Sequence, residues 1–216
     1  MMNHSTDNRP RLTEIRLGAD AGGWKGSGFA VVDGAVQIGA VTISIVAPSG
    51  GILGLAFDHL PEGVSDIDGL PVAIRPASGT GAGHVNRAIA VDQVVIATPD
   101  FERTINSLDA AGLSIRSERV VEGEGEEGTV RQGFVRAGEP VIEIVHTESV
   151  PDGQAVGWGL GFICSDLEAT AEEFEGLLGA LRPAVQPGRR IATFSRDAGL
   201  GVPAVLLDAE APKSKE

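Results

Sequence analysis

The sequence contains one cysteine, Cys164, among its 216 residues. An intrachain disulfide is therefore excluded, and the apolar neighbours of this cysteine predict a buried small side chain more than a catalytic nucleophile. The sequence also has no apolar run long enough to cross a membrane, and its N-terminus lacks the charged-then-apolar pattern of a signal peptide. These absences predict a cytoplasmic protein without a membrane partner.

Basic residues are scarce as well: 17 Lys and Arg stand against 30 Asp and Glu, for a formal net charge of −13. Binding to the phosphates of a nucleic acid needs clustered Lys and Arg, so nucleic acid is not the expected partner. Hydrophobic residues make up 42% of the chain and charged residues 22%, which is ordinary for a globular protein with a sizeable core. The polar, aperiodic ends, 1–11 and 209–216, are predicted to be disordered tails.

What the sequence does contain is a segment that occurs twice. Residues 99–105, Pro-Asp-Phe-Glu-Arg-Thr-Ile, return at 165–171 as Ser-Asp-Leu-Glu-Ala-Thr-Ala. Each copy follows an apolar run and is followed by a glycine, Gly112 or Gly179. The interval of about 66 residues is too long for most solenoid repeats, so it indicates a duplicated structural unit.

A helix is predicted at the start of each copy, because apolar residues recur there at helical spacing. Thr98 is predicted to cap the first helix, with Pro99 at the first helical position. In the second copy, Ser165 and Glu168 have the spacing of a capping box, and the helix is predicted to run to Gly179.

Strands are predicted on both sides of the first helix. The β-branched run Val94–Ala97 precedes it, and Leu113–Val121, Val130–Arg136 and Pro140–His146 follow it. The second copy matches this pattern more loosely, with Pro203-Ala204-Val205 in place of Pro140-Val141-Ile142. Each unit is therefore predicted to have the order βαβββ.

The N-terminal third leaves two interpretations open. Its predicted strands are Ile15–Ala19, Ala35–Ile38, Val41–Ala47 and Ile52–Phe57. In the favoured interpretation, residues 12–60 are a degenerate unit of the same kind, and Ile52–Phe57 is its last strand. In the other, Ile52–Phe57 opens a further, truncated unit. Residues 61–88 are rich in Gly, Pro, Ser and Asp and are predicted to be a linker, with a brief strand candidate at Leu70–Ile74.

Two tandem βαβββ units, 89–148 and 156–208, resemble the glyoxalase, bleomycin-resistance and extradiol-dioxygenase superfamily, the vicinal oxygen chelate superfamily. The segment Asp92–Phe101 opens the first unit, and Val141–Val145 closes it. The resemblance implies an α+β fold in which paired units curl their sheets into an open, incomplete β-barrel. It also implies a metal or a small ligand on the concave side, and a homodimer as the expected assembly.

The resemblance further implies metal ligands at two positions of each unit. The superfamily carries His or Gln at the start of the first strand and Glu on the last, and Gln93 and Glu143 occupy these places. In the second unit the corresponding residues are Gly159 and Leu206, which cannot bind an ion. A divalent ion of the zinc, nickel or iron type needs three or four protein ligands, so the predicted metal site is incomplete unless His146 or the N-terminal third contributes.

Glu143 is also the leading candidate on physical grounds, because two apolar residues flank it on each side. A carboxylate in such a run must face water, a cavity or a charged partner, since burying it alone is very costly. A pocket explains this placement, and so does an ion pair with Arg131 or Arg136. We predict Glu143 as a metal ligand or a general base.

Other residues are predicted to bind the ligand together with Gln93. Gln132 and Phe134 lie on the strand before Glu143, and Trp158 could line a pocket, although a core position suits it equally. Arg190, beside a turn, could bind an anionic ligand, although solvation is the commoner role of such a cation. His84, in the predicted linker, is expected on the surface.

Three functions agree with these predictions. The favoured one is a glyoxalase-like protein that binds a small organic molecule and has an incomplete metal site. The alternative is a metal-dependent lyase, isomerase or dioxygenase that uses Gln93 and Glu143, with the ion as Lewis acid. The third is a fold that serves subunit assembly alone. No cofactor is predicted with certainty, and a divalent metal is the one candidate.

Overall fold

The computed structural model describes residues 9–47, 49–79, 81, 83–122 and 128–209. Most of the two predicted tails therefore lies outside the described residues. Contacts with the fold begin before residue 12, because Pro10 is buried and the backbone N–H of Arg11 donates to Asp58 Oδ1 at 2.9 Å.

Two similar units form the C-terminal part of the chain. The first contains β7 (Ala88–Ala97), α2 (Phe101–Ala110), β8 (Ser117–Glu122), β9 (Thr129–Arg136) and β10 (Val141–His146). The second contains β11 (Val156–Cys164), α3 (Leu167–Glu173), β12 (Arg182–Pro183), β13 (Arg190–Thr193) and β14 (Ala204–Asp208), with a 3₁₀ turn at Arg196–Ala198. In both, the last strand runs parallel to the first and the middle strands are antiparallel. The predicted βαβββ order is confirmed.

The first strands of these two units pair with each other in antiparallel fashion. Gln93 of β7 lies opposite Gly161 of β11, and Val95 lies opposite Gly159. The repeat interval relates Gln93 to Gly159 and Val95 to Gly161, so each of these pairs maps onto the other. The two units are therefore related by a local two-fold axis that passes between β7 and β11.

The N-terminal part repeats the same pairing with fewer residues. Its elements are β1 (Leu12–Gly18), α1 (Ala21–Gly26), β2 (Ala35–Ile38), β3 (Val41–Ala47), β4 (Ile52–Phe57), β5 (Asp66–Ile67) and β6 (Leu70–Ile74). β3 runs parallel to β1, whereas β4 runs antiparallel to β1 and parallel to β6. This arrangement favours the interpretation in which β4 opens a truncated unit, and we propose that division. β5 and β6 fall within 61–88, where we predicted a linker.

The two parts join where β4 meets β11, at the pair Ile52 and Gly157. The main path through the sheet is β2-β3-β1-β4-β11-β7-β10-β9-β8, and β14, β13 and β12 extend from β11. The sheet is mixed, open and not closed into a barrel, as the predicted fold class requires. In the C-terminal units α2 packs against β10, and α3 packs against β13 and β14. We call the opposite side of these strands, which carries the hollow described below, the concave side.

The helices of the two C-terminal units, α2 and α3, are each capped by an aspartate and not by the predicted residue. Asp100 Oδ1 accepts the backbone N–H of Arg103 at 3.0 Å, and Asp166 Oδ1 accepts that of Ala169 at 3.1 Å. The caps predicted at Thr98 and Ser165 are therefore wrong by two residues and one residue, because the helices begin at Phe101 and Leu167 and the aspartate directly before each start is the cap. α3 also ends at Glu173, well before Gly179, since the following residues turn back toward β13.

Alternation along β10 decides what faces the helices and what faces the hollow. Ile142 and Ile144 are fully buried on the helix side, together with Leu108 of α2. Glu143 between them must point to the opposite, concave side, because successive side chains of a strand point to opposite faces. Cys164 is buried, as predicted.

His84 is buried, whereas we predicted it on the surface because it lies in the predicted linker. Its side chain is 8% exposed. Nδ1 accepts the backbone N–H of Ala30 at 3.0 Å, and Nε2 lies 3.1 Å from the carbonyl oxygen of Gln37. Both ring nitrogens are thus used by the N-terminal part, which needs His84 neutral with its proton on Nε2. Burial accordingly lowers the pKa of His84.

Lowering the pH from about 7.5 to about 5.5 is expected to destabilise the protein through His84. The unfolded chain takes up a proton below its ordinary pKa of 6.5, and the folded chain resists this uptake, so stability falls by up to about 1.4 kcal/mol per pH unit. Urea unfolding followed by circular dichroism measures the change. His84→Gln should remove this part of the pH dependence, and His59→Gln should leave it; equal pH dependence in wild type and His84→Gln would contradict the assignment.

Candidate ligand-binding site

The concave side of the C-terminal units encloses a hollow of about 700 Å³. Residues from both C-terminal units line it. We call it the main hollow and define it by its lining residues, which are Gln93, Arg119, Gln132, Phe134, Glu143, Arg182, Pro183, Ala184, Val185, Gln186, Pro187, Ile191 and Leu207. Four of the predicted site residues, Gln93, Gln132, Phe134 and Glu143, are among them.

Glu143 forms part of the wall of the main hollow and is 7% exposed. Its Oε1 accepts a hydrogen bond of 2.5 Å from Gln132 Nε2. Burial raises the pKa of Glu143 above its ordinary value, while the positive charge of Arg119 and the Gln132 hydrogen bond act in the opposite direction. The result is a carboxyl group whose proton affinity is increased by its surroundings, as in many general acids and bases.

A chain of side chains holds this carboxyl group in place. Arg119 Nε donates to Gln132 Oε1 at 2.5 Å, and Gln132 in turn donates to Glu143. The Arg119 guanidinium also lies 5.2 Å from the ring centre of Phe134. Since β8, β9 and β10 are adjacent in the sheet, these contacts cross three strands and fix the orientation of both the amide and the carboxyl group.

The ion pair that we considered for Glu143 is not formed. Arg131 binds Glu102 at 2.7 Å and Glu118 at 2.8 Å, and Arg136 donates to the carbonyl oxygen of Glu139. Arg131 lies opposite His146, on the other face of the sheet from Glu143, and Arg136 lies at the end of β9, opposite Val141. Of the two explanations for a carboxylate in an apolar strand, the hollow is the one the geometry supports.

Gln93 lies at the junction of the main hollow with a second one of about 450 Å³, which we call the side hollow. The side hollow also borders Asp92, Arg136 and Arg189. A Cβ added to Gly161 would lie 2.8 Å from Gln93 Cγ, so the glycine opposite Gln93 leaves the space that its side chain occupies. The side chain of Gln93 therefore occupies space that is open because β11 has a glycine at the position opposite it on β7.

The second unit offers no counterpart to Gln93 or Glu143. The two-fold relation places Gly159 at the position of Gln93, as predicted. Glu143 lies opposite Val95, and the equivalent Gly161 lies opposite Val205, so Val205 and not Leu206 corresponds to Glu143. The prediction of Leu206 is wrong by one residue, because the loop before β14 differs in length from the turn before β10.

No family model matches the sequence, and no curated protein matches it. The structure matches 4-hydroxymandelate synthase from Streptomyces coelicolor, a vicinal oxygen chelate protein, with a TM-score of 0.64 and 14% identity, over 95% of this chain and 94% of that chain. This chain has the vicinal oxygen chelate fold. Methylmalonyl-CoA epimerase from Mycobacterium tuberculosis aligns with 59% of this chain and 91% of its own, at 20% identity and a TM-score of 0.46.

The vicinal oxygen chelate fold often holds a divalent metal, but the residues present here do not fit one. Gln93 and Glu143 are the two candidate ligands, and Glu143 is already bound by Gln132 with a guanidinium behind it. His146 lies on the other face of β10, where Nδ1 is 3.0 Å from the carbonyl oxygen of Thr98. Across the described ranges, no three His, Cys, Asp or Glu side chains come together. This donor set is too small for a tightly held ion.

Two predicted ligand-binding residues lie away from the main hollow of this fold. Trp158 is 53% exposed and lies where the β7–β11 register shifts between Gly157 and Gly159, so the bulge turns it outward. Arg190 is bound to Asp208 at 2.8 Å, and it also approaches Glu168 on α3. Arg190 therefore faces the helix side, and its neighbour Ile191 faces the hollow.

Sequence reasoning missed Arg119 and Arg182 as lining residues of the main hollow. Arg119 lies on a predicted strand, but nothing in the local sequence shows which face it occupies. Arg182 lies on a two-residue strand that no periodicity could reveal.

In the described part of the chain, none of the helices is long and apolar enough to cross a membrane.

Proposed function

We propose that the chain binds a small organic molecule in the main hollow. The observation that supports this most is Glu143, a buried carboxyl group at the wall of an open hollow, held by Gln132 and not by an ion pair. Burying such a group costs stability when the charge of Arg119 lies nearby but forms no direct ion pair, and a protein retains it where the group contacts a ligand. Apolar walls from Phe134, Ile191 and Leu207 suit the carbon skeleton of the ligand.

Glu143 is proposed as the group that exchanges a proton with the ligand. A carboxyl group with a raised pKa can donate a hydrogen bond when protonated and accept a proton when ionised. Gln132 fixes one oxygen, Oε1, which orients the group within the hollow. If a substrate is found, Glu143→Gln is the variant that tests this role, because it keeps the shape and removes the proton exchange.

A metal-dependent lyase, isomerase or dioxygenase that uses Gln93 and Glu143 has less support, because the second half of the donor set is Gly159 and Val205. Metal analysis of the natively purified protein tests this choice. A stoichiometric, tightly held divalent ion would contradict the proposal. The cytoplasmic location and the homodimer remain predictions.

Filling the main hollow with Ile191→Trp is expected to weaken ligand binding at least about tenfold, because an indole takes up space that the ligand needs. Benzamide and benzoate serve as probes, since both combine an apolar ring with a polar group. Their binding is measured by chemical-shift titration of the full chain.

The matched control is Val32→Trp, which adds the same side chain at a position that is 66% exposed and does not line the main hollow. Thermal unfolding of both variants checks that they fold. Unchanged probe binding in folded Ile191→Trp, or equal loss in Val32→Trp, would contradict binding in the main hollow.

A further inference from the structure

Two arginines occupy equivalent positions of the two C-terminal units. In the first unit, Arg119 lies opposite Gln132, which lies opposite Val145, which in turn lies opposite Ala97 on the first strand. In the second unit, Arg182 lies opposite Ile191, which lies opposite Leu207, which in turn lies opposite Ile163 on the first strand. Ala97 and Ile163 are separated by the repeat interval, so the local two-fold axis relates Arg119 to Arg182. Both side chains line the main hollow.

Most of the N–H donors of these arginines are unused. Among the described residues, the Arg119 guanidinium donates through Nε to Gln132 alone, and the Arg182 guanidinium donates through Nη2 to Thr193 at 3.2 Å. Neither forms an ion pair in that part of the chain, whereas most other arginines of the C-terminal units do. A guanidinium with free donors in a hollow is suited to bidentate binding of a carboxylate or a phosphate.

The charge of the main hollow is opposite to that of the protein. Two arginines and one carboxyl group line it, while the whole chain carries a formal net charge of −13. Arg119 is also held in place by Gln132 and by the ring of Phe134, so little of its freedom remains to be lost on binding. The hollow is therefore a preorganised, locally cationic site in an acidic protein.

We propose that Arg119 and Arg182 together bind the oxyanion of the ligand, a carboxylate or a phosphate group, across the two-fold axis of the C-terminal units. This proposal rests on the proposed function, since it names the chemical class of the molecule in the main hollow. The apolar part of the ligand then lies over Phe134, Ile191 and Leu207, which border the same hollow.

Titration of the full chain with three probes tests the arginine pair. Benzoate carries the carboxylate, benzamide is its neutral analogue, and inorganic phosphate represents a phosphate group. Benzoate is expected to bind at least about tenfold more tightly than benzamide. Arg119→Gln and Arg182→Gln should each weaken benzoate about tenfold and leave benzamide within about twofold.

Arg16→Gln, on an exposed position of β1, is the matched control and should leave all three affinities unchanged. Arg119→Lys keeps the charge but not the bidentate geometry, so it should recover part of the binding lost in Arg119→Gln. Circular dichroism confirms that each variant folds. If phosphate binds more tightly than benzoate and shows the same dependence on both arginines, the ligand group is a phosphate.

The results separate this proposal from the proposed function. Equal binding of benzoate and benzamide that the arginine variants do not change, but that Ile191→Trp abolishes, would overturn the arginine pair and keep the hollow as a binding site. Binding that Ile191→Trp does not affect would overturn the proposed function. Absence of binding by both anions at about 10 mM would overturn the arginine pair.

Discussion

Trp24→Ala is expected to lower the free energy of unfolding by about 3–5 kcal/mol, the range for removing a large aromatic side chain from a core. Trp24 is fully buried, and its ring centre lies 4.7 Å from that of Phe29 and 6.1 Å from that of Phe162. Its indole N–H also donates to the carbonyl oxygen of Leu200 at 3.2 Å. Urea unfolding followed by circular dichroism measures the loss.

Trp158→Ala is the matched control, because it removes the same side chain from an exposed position and should change stability by about 0.5 kcal/mol or less. Trp24 belongs to α1, whereas Phe162 and Leu200 belong to the last unit. A large loss would therefore show that the N-terminal part and the last unit share one core. A loss no greater than that of Trp158→Ala would contradict the packing described above.

Benzoate binding is expected to become about tenfold tighter or more between pH about 8 and about 5, since an anion beside Glu143 favours the protonated carboxyl group. The pKa of Glu143 is already raised by burial, whereas the positive charge of Arg119 lowers it. A bound anion that pairs with Arg119 would offset this positive charge and raise the pKa of Glu143 further. Binding is then coupled to proton uptake, and affinity rises as the pH falls. Titrations at several pH values, with benzoate ionised throughout, measure this coupling.

In Glu143→Gln the coupling should disappear, and benzoate should bind at every pH at least as tightly as it binds wild type at the acidic end. Glu102→Gln is the control, because Glu102 pairs with Arg131 on the helix side and is 69% exposed. If the benzoate affinity of Glu143→Gln still depends on pH, another group takes up the proton. The same result would remove Glu143 from the proposed proton exchange.

Much of the fold was predictable because local sequence carries it. The strands Ala35–Ile38, Val41–Ala47, Ile52–Phe57 and Leu70–Ile74 are confirmed with their predicted bounds. The helices were correct in number and place within the repeat, but their caps were not, since aspartate, serine and threonine compete for the same role within two or three residues. Within 61–88, predicted as a linker with one brief strand candidate, the structure adds the two-residue strand β5, which is too short to leave a periodic pattern in the sequence.

The candidate site was predictable in part. Glu143 stands out because its apolar neighbours belong to one strand, and the consequence of burying a carboxylate needs no tertiary information. Trp158 was misplaced because a bulge in β11 changes the face on which it lies, and Leu206 because a loop shifted the register by one residue. Neither change leaves a signal in the residues nearby.

The sequence by itself determined the duplication, the order of strands and helices in each unit, and the presence of one carboxylate where an apolar side chain would be expected. Each of these depends on residues that are close together along the chain. The tertiary structure alone decided that Arg119 and Arg182 share one hollow and that His84 is buried. Such relations depend on strand register across several hydrogen-bonded neighbours, and a slip of one residue in any of them would turn the side chain to the other face.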